Sequence, residues 1–282
     1  MLLSFLFLTA GLTVHASEST SHKKLGRKLN IHEDKAQRLA QAKELLGSHY
    51  KHSVVRFGEQ IPHVHNYLIT QVEAALPKKY KKDAAMMTKC IFTESKKYGF
   101  DPLFVLALMT NESHLNPETV GRFGEIGLMQ IKPDTAKWIS NLYHFKWAGE
   151  KSLRLIKTNI KIGTAYLDYL RDKFDNHSRL YLSAYNMGPS NVRSALSRDI
   201  WPKDYVVRVM DYYVKFYADL TDHSAPVTTR HPAQKVDELT AMAIHSESFS
   251  SHSPSRKPQS VSRDQDPLLQ YDPIAEDTLA VN

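Results

Sequence analysis

Glu112 stands near the end of LFVLALMTNESHLNP, residues 103–117, a stretch whose first seven residues are all apolar. On a helix it follows Leu108 by four positions and Val105 by seven, so its carboxylate continues the stripe those side chains make. A carboxylate placed there is withdrawn from water and meets the negative end of the helix dipole, and both effects favour the protonated form. Such a group can act as a general acid near neutral pH. Position alone fits a solvent-facing glutamate at a helix end equally well.

Other reactive side chains offer less. Cys90 is the single cysteine, so no internal disulfide can form, and its setting in AAMMTKCIF reads as a small buried hydrophobe in a helix. Among fourteen histidines, His63 and His65 have ligand-like spacing, but no third ligand stands at a recognisable distance, so no metal site is expected. No zinc-finger or RNA-binding signature is present, and nucleic acid is not an expected partner.

The elements that must position Glu112 follow from helical periodicity. Asp101 as N-cap and Pro102 at the first helical position start its helix, and Asn116-Pro117 ends it. GRFGEIGLMQ, with three glycines and no helical period, reads as an irregular or short hairpin segment. Helices are then expected from Pro133 through Trp138, from Asn159 to Phe174, and from Leu180 to Met187, the last stopped by Gly188-Pro189. YVVRVMDYYVKFYADL closes the region with Val206, Val209, Met210, Tyr213, Phe216, Tyr217 and Leu220 on one stripe. Upstream, HEDKAQRLAQAKELLG, the stretch from Pro62 to Pro77, and Asp83 to Gly99 read as further helices, the lysines of the third on a solvated face. The fold class is mainly α.

ESHLNP, GEIGLMQIKPDTA and AYNMGPSNV occur in that order and at fitting distances, and together they resemble the soluble lytic murein transglycosylases, relatives of goose-type lysozyme. The resemblance covers about Asp83 to Leu220 and implies a lysozyme-like, α-rich catalytic domain with Glu112 as its only catalytic carboxylate. It implies that Glu112 protonates the oxygen bridging N-acetylmuramic acid and N-acetylglucosamine. Glu112 then serves as base on the muramic 6-hydroxyl, which closes a 1,6-anhydro ring without any cofactor. Ser113 would fix the loop after Glu112, while Gly124 and Gly127 would let backbone pass close to a sugar chain. Leu128, Met129 and Gln130 resemble the family's cleft floor, and Tyr185 and Asn186 resemble an AYN pair whose tyrosine orients the acid. Core packing remains open for Met129 and Tyr185, and Tyr205 fits a cleft-lining or a packing role equally. A second Glu-Ser pair, Glu94-Ser95, lacks the following Asn-Pro stop and glycine segment and reads as surface.

The chain departs from the family at Gly121, where many members carry a serine nine residues after the glutamate, and at Arg122 and Glu125, where small residues are common. Two alternatives follow: a lysozyme-type muramidase using Glu112 with Glu125, or a non-catalytic wall-binding protein on the same fold.

The organisation expected for the 282 residues is a signal peptide over 1–16, with Val14-His15-Ala16 as cleavage pattern, and a helical extension over 17–82. The catalytic domain then spans 83–222, and a disordered Ser/His/Pro-rich tail follows over 223–282. The formal charge of +7 suits an acidic partner, and in an exported protein that is cell-wall polymer or a membrane surface. The expectation is a periplasmic or secreted monomer acting on peptidoglycan glycan strands, with no particular protein partner indicated.

Overall fold

The structure, a computed structural model, describes residues 31–58 and 64–224. The expected leader and tail, and His63 of the histidine pair, lie outside them. The described residues are mainly helical: α1 (Ile31–Leu46), α2 (Val55–Gly58), α3 (Val64–Ala75), α4 (Ala84–Tyr98), α5 (Pro102–Ser113), α6 (Pro133–Leu142), α7 (Ile156–Lys173), α8 (Ser178–Met187), α9 (Pro189–Leu196) and α10 (Asp204–Ser224). Short 3-10 turns occupy Gly47–His52, Lys78–Asp83 and Glu150–Arg154.

A helix that is apolar on every side must be surrounded, and each residue of α5 from Pro102 to Met109 is buried. Helix α10 lies along it and buries Tyr205, Val209, Met210, Tyr213, Val214, Tyr217 and Leu220, much of the stripe expected from the sequence. The two run antiparallel: Tyr213 and Tyr217 reach the start of α5, and Tyr205 reaches its end. At the start, Asp101 is fully buried and caps the helix by accepting from the Leu103 amide at 2.9 Å. Its other oxygen accepts from the Tyr213 hydroxyl at 2.9 Å and the Tyr217 hydroxyl at 2.6 Å. Burial pushes the Asp101 carboxyl up, opposed by these bonds and by the charge of Arg38 on α1.

The helices before residue 83 belong to the same core, which runs without a break from Ala42 and Tyr50 through Leu68 and Val72 into α4 and α5. Gln37 on α1 donates to the Ser95 and Phe100 carbonyls, and Glu44 pairs with Arg171 of α7 and accepts from the Tyr181 hydroxyl of α8 at 2.9 Å. On α3, Tyr67 and Gln71 both donate to Asp219 of α10. At Gly58 any side chain would collide with the Tyr217 ring, so α2 meets α10 backbone to ring.

Several boundaries differ from expectation. Helix α5 stops at Ser113, before Asn116-Pro117, because His114 and Leu115 turn the chain through left-handed conformations at φ 51° and 60°. Gly188-Pro189 ends α8 as expected, yet Pro189 also sits at the first position of the unforeseen α9. Cys90 is half-buried, not enclosed.

Asp101→Ala would strip an acceptor from three buried donors, and a loss of about 3 kcal/mol is expected in urea unfolding. Asp101→Asn keeps one oxygen for the cap and should lose about half as much.

Candidate functional site

Glu112 lies on the last turn of α5, half-exposed, with protein around most of its carboxylate. The Tyr205 hydroxyl donates to its Oε1, and the Asn111 amide makes a longer contact to the same oxygen at 3.4 Å. Burial pushes the Glu112 carboxyl up to about 7. The Tyr205 and Asn111 bonds hold it down, the negative charge of Glu125 lifts it further, and Arg208 lowers it. The group is therefore divided between its acid and base forms at neutral pH.

The segment after α5 is an irregular loop in which Ile126 forms isolated bridges with Val120 and Ile131. Ser113 Oγ ties it to α5 by donating to the Leu128 carbonyl at 2.8 Å. Gly127, at φ 82°, approaches α7 so closely that a Cβ would stand 2.5 Å from Asn159 Nδ2 and from the Leu153 carbonyl. Gln130 Nε2 donates inward to the Gly127 carbonyl at 2.8 Å and the Thr119 carbonyl at 3.1 Å. Glu125 bends back over Gly121 and accepts from the Phe123 amide at 3.0 Å. A Cβ on Gly121 would fall on that carboxylate and lie 2.8 Å from Gln130 Oε1, so Glu125 fills the space a serine at 121 would need.

The expected site residues gather around this loop, but several do so from behind it. Leu128 and Met129 are fully buried and Ser113 nearly so, hence their side chains hold the loop in place. Gly127 is likewise buried, and Gln130 spends its amide on backbone. Tyr185 was expected to orient the acid, and Tyr205 to line the cleft or pack. Tyr185 donates to the Met129 carbonyl at 2.9 Å, near enough for the charge of Glu112 to act on it, whereas the Tyr205 hydroxyl makes the bond to Glu112. Asn186 is exposed at the end of α8. Glu94, expected at the surface, is half-buried where α4 packs on α7. Its Oε2 has no hydrogen-bond partner, and burial lifts its carboxyl.

Asn159 has a role the motifs did not suggest. From the buried face of α7 its Oδ1 accepts from the Met129 amide at 2.7 Å, and its Nδ2 donates to the Ile126 and Leu153 carbonyls, each at 2.8 Å. One helix turn on, Gly163 leaves room for Met129, whose Sδ would lie 2.5 Å from a Cβ there. The signal available in the sequence was a polar residue on the apolar stripe of Ile156, Ile160 and Leu167. His65 stacks on Phe92 with ring centroids 5.2 Å apart, and among the described residues no group of three His, Cys, Asp or Glu could hold a metal ion.

Residues 89–207 match the family model described as Transglycosylase SLT domain. The chain is 36% identical over 107 residues to the soluble lytic murein transglycosylase of Salmonella typhimurium, covering 38% of this chain and 17% of that protein. It is 29% identical over 190 residues to the membrane-bound lytic murein transglycosylase C of Cronobacter sakazakii, covering 64% of this chain and 51% of that one. The chain thus spans at most about half the length of these relatives. An inactive variant of the lytic transglycosylase Slt from Pseudomonas aeruginosa superposes with a TM-score of 0.42 at 19% identity, over 71% of this chain and 39% of that one.

Two variants test this arrangement. Asn159→Leu leaves the Met129 amide and the Leu153 carbonyl unpaired in the interior, while the Ile126 carbonyl keeps the Ile131 amide, and should cost about 3 kcal/mol in chemical denaturation. Glu112→Gln should behave oppositely. Since the folded carboxyl is raised from 4.5 to about 7, the stability it lends is fully present below 4.5 and lost as pH rises through 7. The variant escapes that loss, so its stability relative to the wild type should improve by about 3 kcal/mol between pH 4 and pH 8.

Proposed function

We propose that this transglycosylase SLT domain acts as a peptidoglycan lytic transglycosylase, cutting the β-1,4 bond from N-acetylmuramic acid to N-acetylglucosamine with Glu112 as the single acid and base. The observation that carries the reading is the state of Glu112: one carboxyl, raised to about 7 by burial and oriented by the Tyr205 hydroxyl. The protonated carboxyl gives its proton to the bridging oxygen, and the bond from that oxygen to the anomeric carbon breaks. The muramic 6-hydroxyl then attacks the anomeric carbon and yields its proton to the Glu112 carboxylate. Atoms and charge balance, and the enzyme returns to its starting state.

The substrate provides its own nucleophile, which removes the need for the second carboxylate of an ordinary glycosidase. Glu125, the nearest alternative, accepts from the Phe123 amide and packs over Gly121, an arrangement suited to holding the loop. Its negative charge acts on Glu112 from there. Tyr205 positions the acid, while Tyr185, Asn159 and Ser113 hold the loop on which the sugar chain rests. Export to the periplasm or beyond, where this polymer lies, completes the proposal, as does action as a monomer. No described helix is long and apolar enough to cross a membrane.

Mass spectrometry of digested sacculi should find products lighter by one water than hydrolytic ones. Predominant reducing ends would replace this reading with a hydrolase. Glu112→Gln should lower the rate by about a hundredfold to ten-thousandfold with the fold intact, whereas Glu125→Ala should slow the reaction and leave the product type unchanged. Because the acid must begin protonated, activity should fall as pH rises through about 7. Tyr205→Phe removes a bond that favours the carboxylate, so its falling limb should move to higher pH; Glu125→Gln removes a repelling charge and should move it lower.

A further inference from the structure

Most large apolar side chains in the described residues are at least partly covered, but Phe123 is 60% exposed at the tip of the loop between Val120 and Ile126. Two cations flank its ring: the Arg122 guanidinium carbon at 5.5 Å from the centroid and Lys132 Nζ at 5.5 Å. Neither forms an ion pair among the described residues, although the same region pairs Glu118 with both Lys79 and Arg154. An uncovered aromatic ring and two unneutralised cations cost solubility and mutual repulsion and contribute nothing visible to the core.

The tip is nevertheless held firmly. The Phe123 amide donates to the Glu125 carboxylate, the Gly121 amide donates to the Glu125 carbonyl at 2.8 Å, and the Gly124 amide donates to the Gly121 carbonyl at 3.2 Å. Glu125 is also close enough to Glu112 for its charge to act there. One carboxylate thus stands between the reacting group and the backbone of the exposed ring, so the ring belongs to the surroundings of the same site.

We propose that Phe123, Arg122 and Lys132 form a subsite for an acidic stretch of glycan, the ring stacking on a sugar face and the two cations meeting carboxylates carried by muramic acid. The inference rests on the proposed function and adds a preference to it. The aromatic face offers apolar contact to the C–H side of any pyranose, whereas the cations distinguish a charged strand from a neutral one. Carboxylates on such a strand come from the lactyl ether or from the stem peptides.

The test measures binding by the full chain carrying Glu112→Gln, so that no strand is cut. Its probes are neutral N-acetylglucosamine oligomers, glycan strands stripped of stems, which keep the lactyl carboxylate, and strands with stems. Strands bearing carboxylates should bind about fivefold more tightly than neutral oligomers, with the difference shrinking as salt rises. Adding Arg122→Gln and Lys132→Gln should abolish that difference and leave neutral oligomers unaffected. Phe123→Ala should instead weaken all three by about fivefold. A gain already complete on stripped strands assigns the lactyl group, and a gain that appears only with stems assigns the peptide; both support the subsite. Equal binding of charged and neutral probes, or a charge preference that survives the double change, overturns it. Wild-type digestion of sacculi is scored separately: failure to release fragments removes the proposed function, whereas normal release with no charge preference removes only this inference.

Discussion

A carboxylate stands at each end of α5, and tyrosines from α10 hold both. Asp101 ends the helix at its positive pole, where an anion is favoured, and takes hydrogen bonds enough to tolerate complete burial. Glu112 ends it at the negative pole with fewer bonds, so it keeps its proton to higher pH than an ordinary carboxyl. The first carboxylate fixes how α10 lies on α5. That docking in turn delivers Tyr205 to Glu112, so the chemistry of one end depends on the geometry established at the other.

This dependence extends to the helices upstream. Arg38 brings its charge to bear on Asp101, and the pair of Glu44 with Arg171 fastens α1 to α7, the helix that carries Asn159. An expected boundary at residue 83 separates stretches of sequence, but the core crosses it. The segment before it supports the helices that place Glu112 and the loop beside it.

What could be read from the sequence was whatever rests on neighbours in the chain. Asp101-Pro102 announces the start of α5, the apolar stripe announces α10, and three glycines announce an irregular loop, since each depends on local conformational preference or periodicity. Partner choice was harder. Tyr185 and Tyr205 are chemically alike, and which of them meets Glu112 is decided by how helices lie together. The same limit hid Asn159, whose partners are backbone groups of a distant loop, and the burial of Glu94, which only the packing of α7 brings about. Pro189 was ambiguous for another reason, since proline suits both the stop of one helix and the first turn of the next.

Gly121 and Glu125 occupy one volume between them. A side chain at 121 must displace the glutamate, and losing the glutamate would leave the Phe123 amide without its acceptor. The two positions are therefore coupled: a side chain at 121 fits only when the flexible Glu125 carboxylate moves aside. A change at 121 is thus felt at Glu112 as well, because it moves the negative charge of Glu125 that acts there.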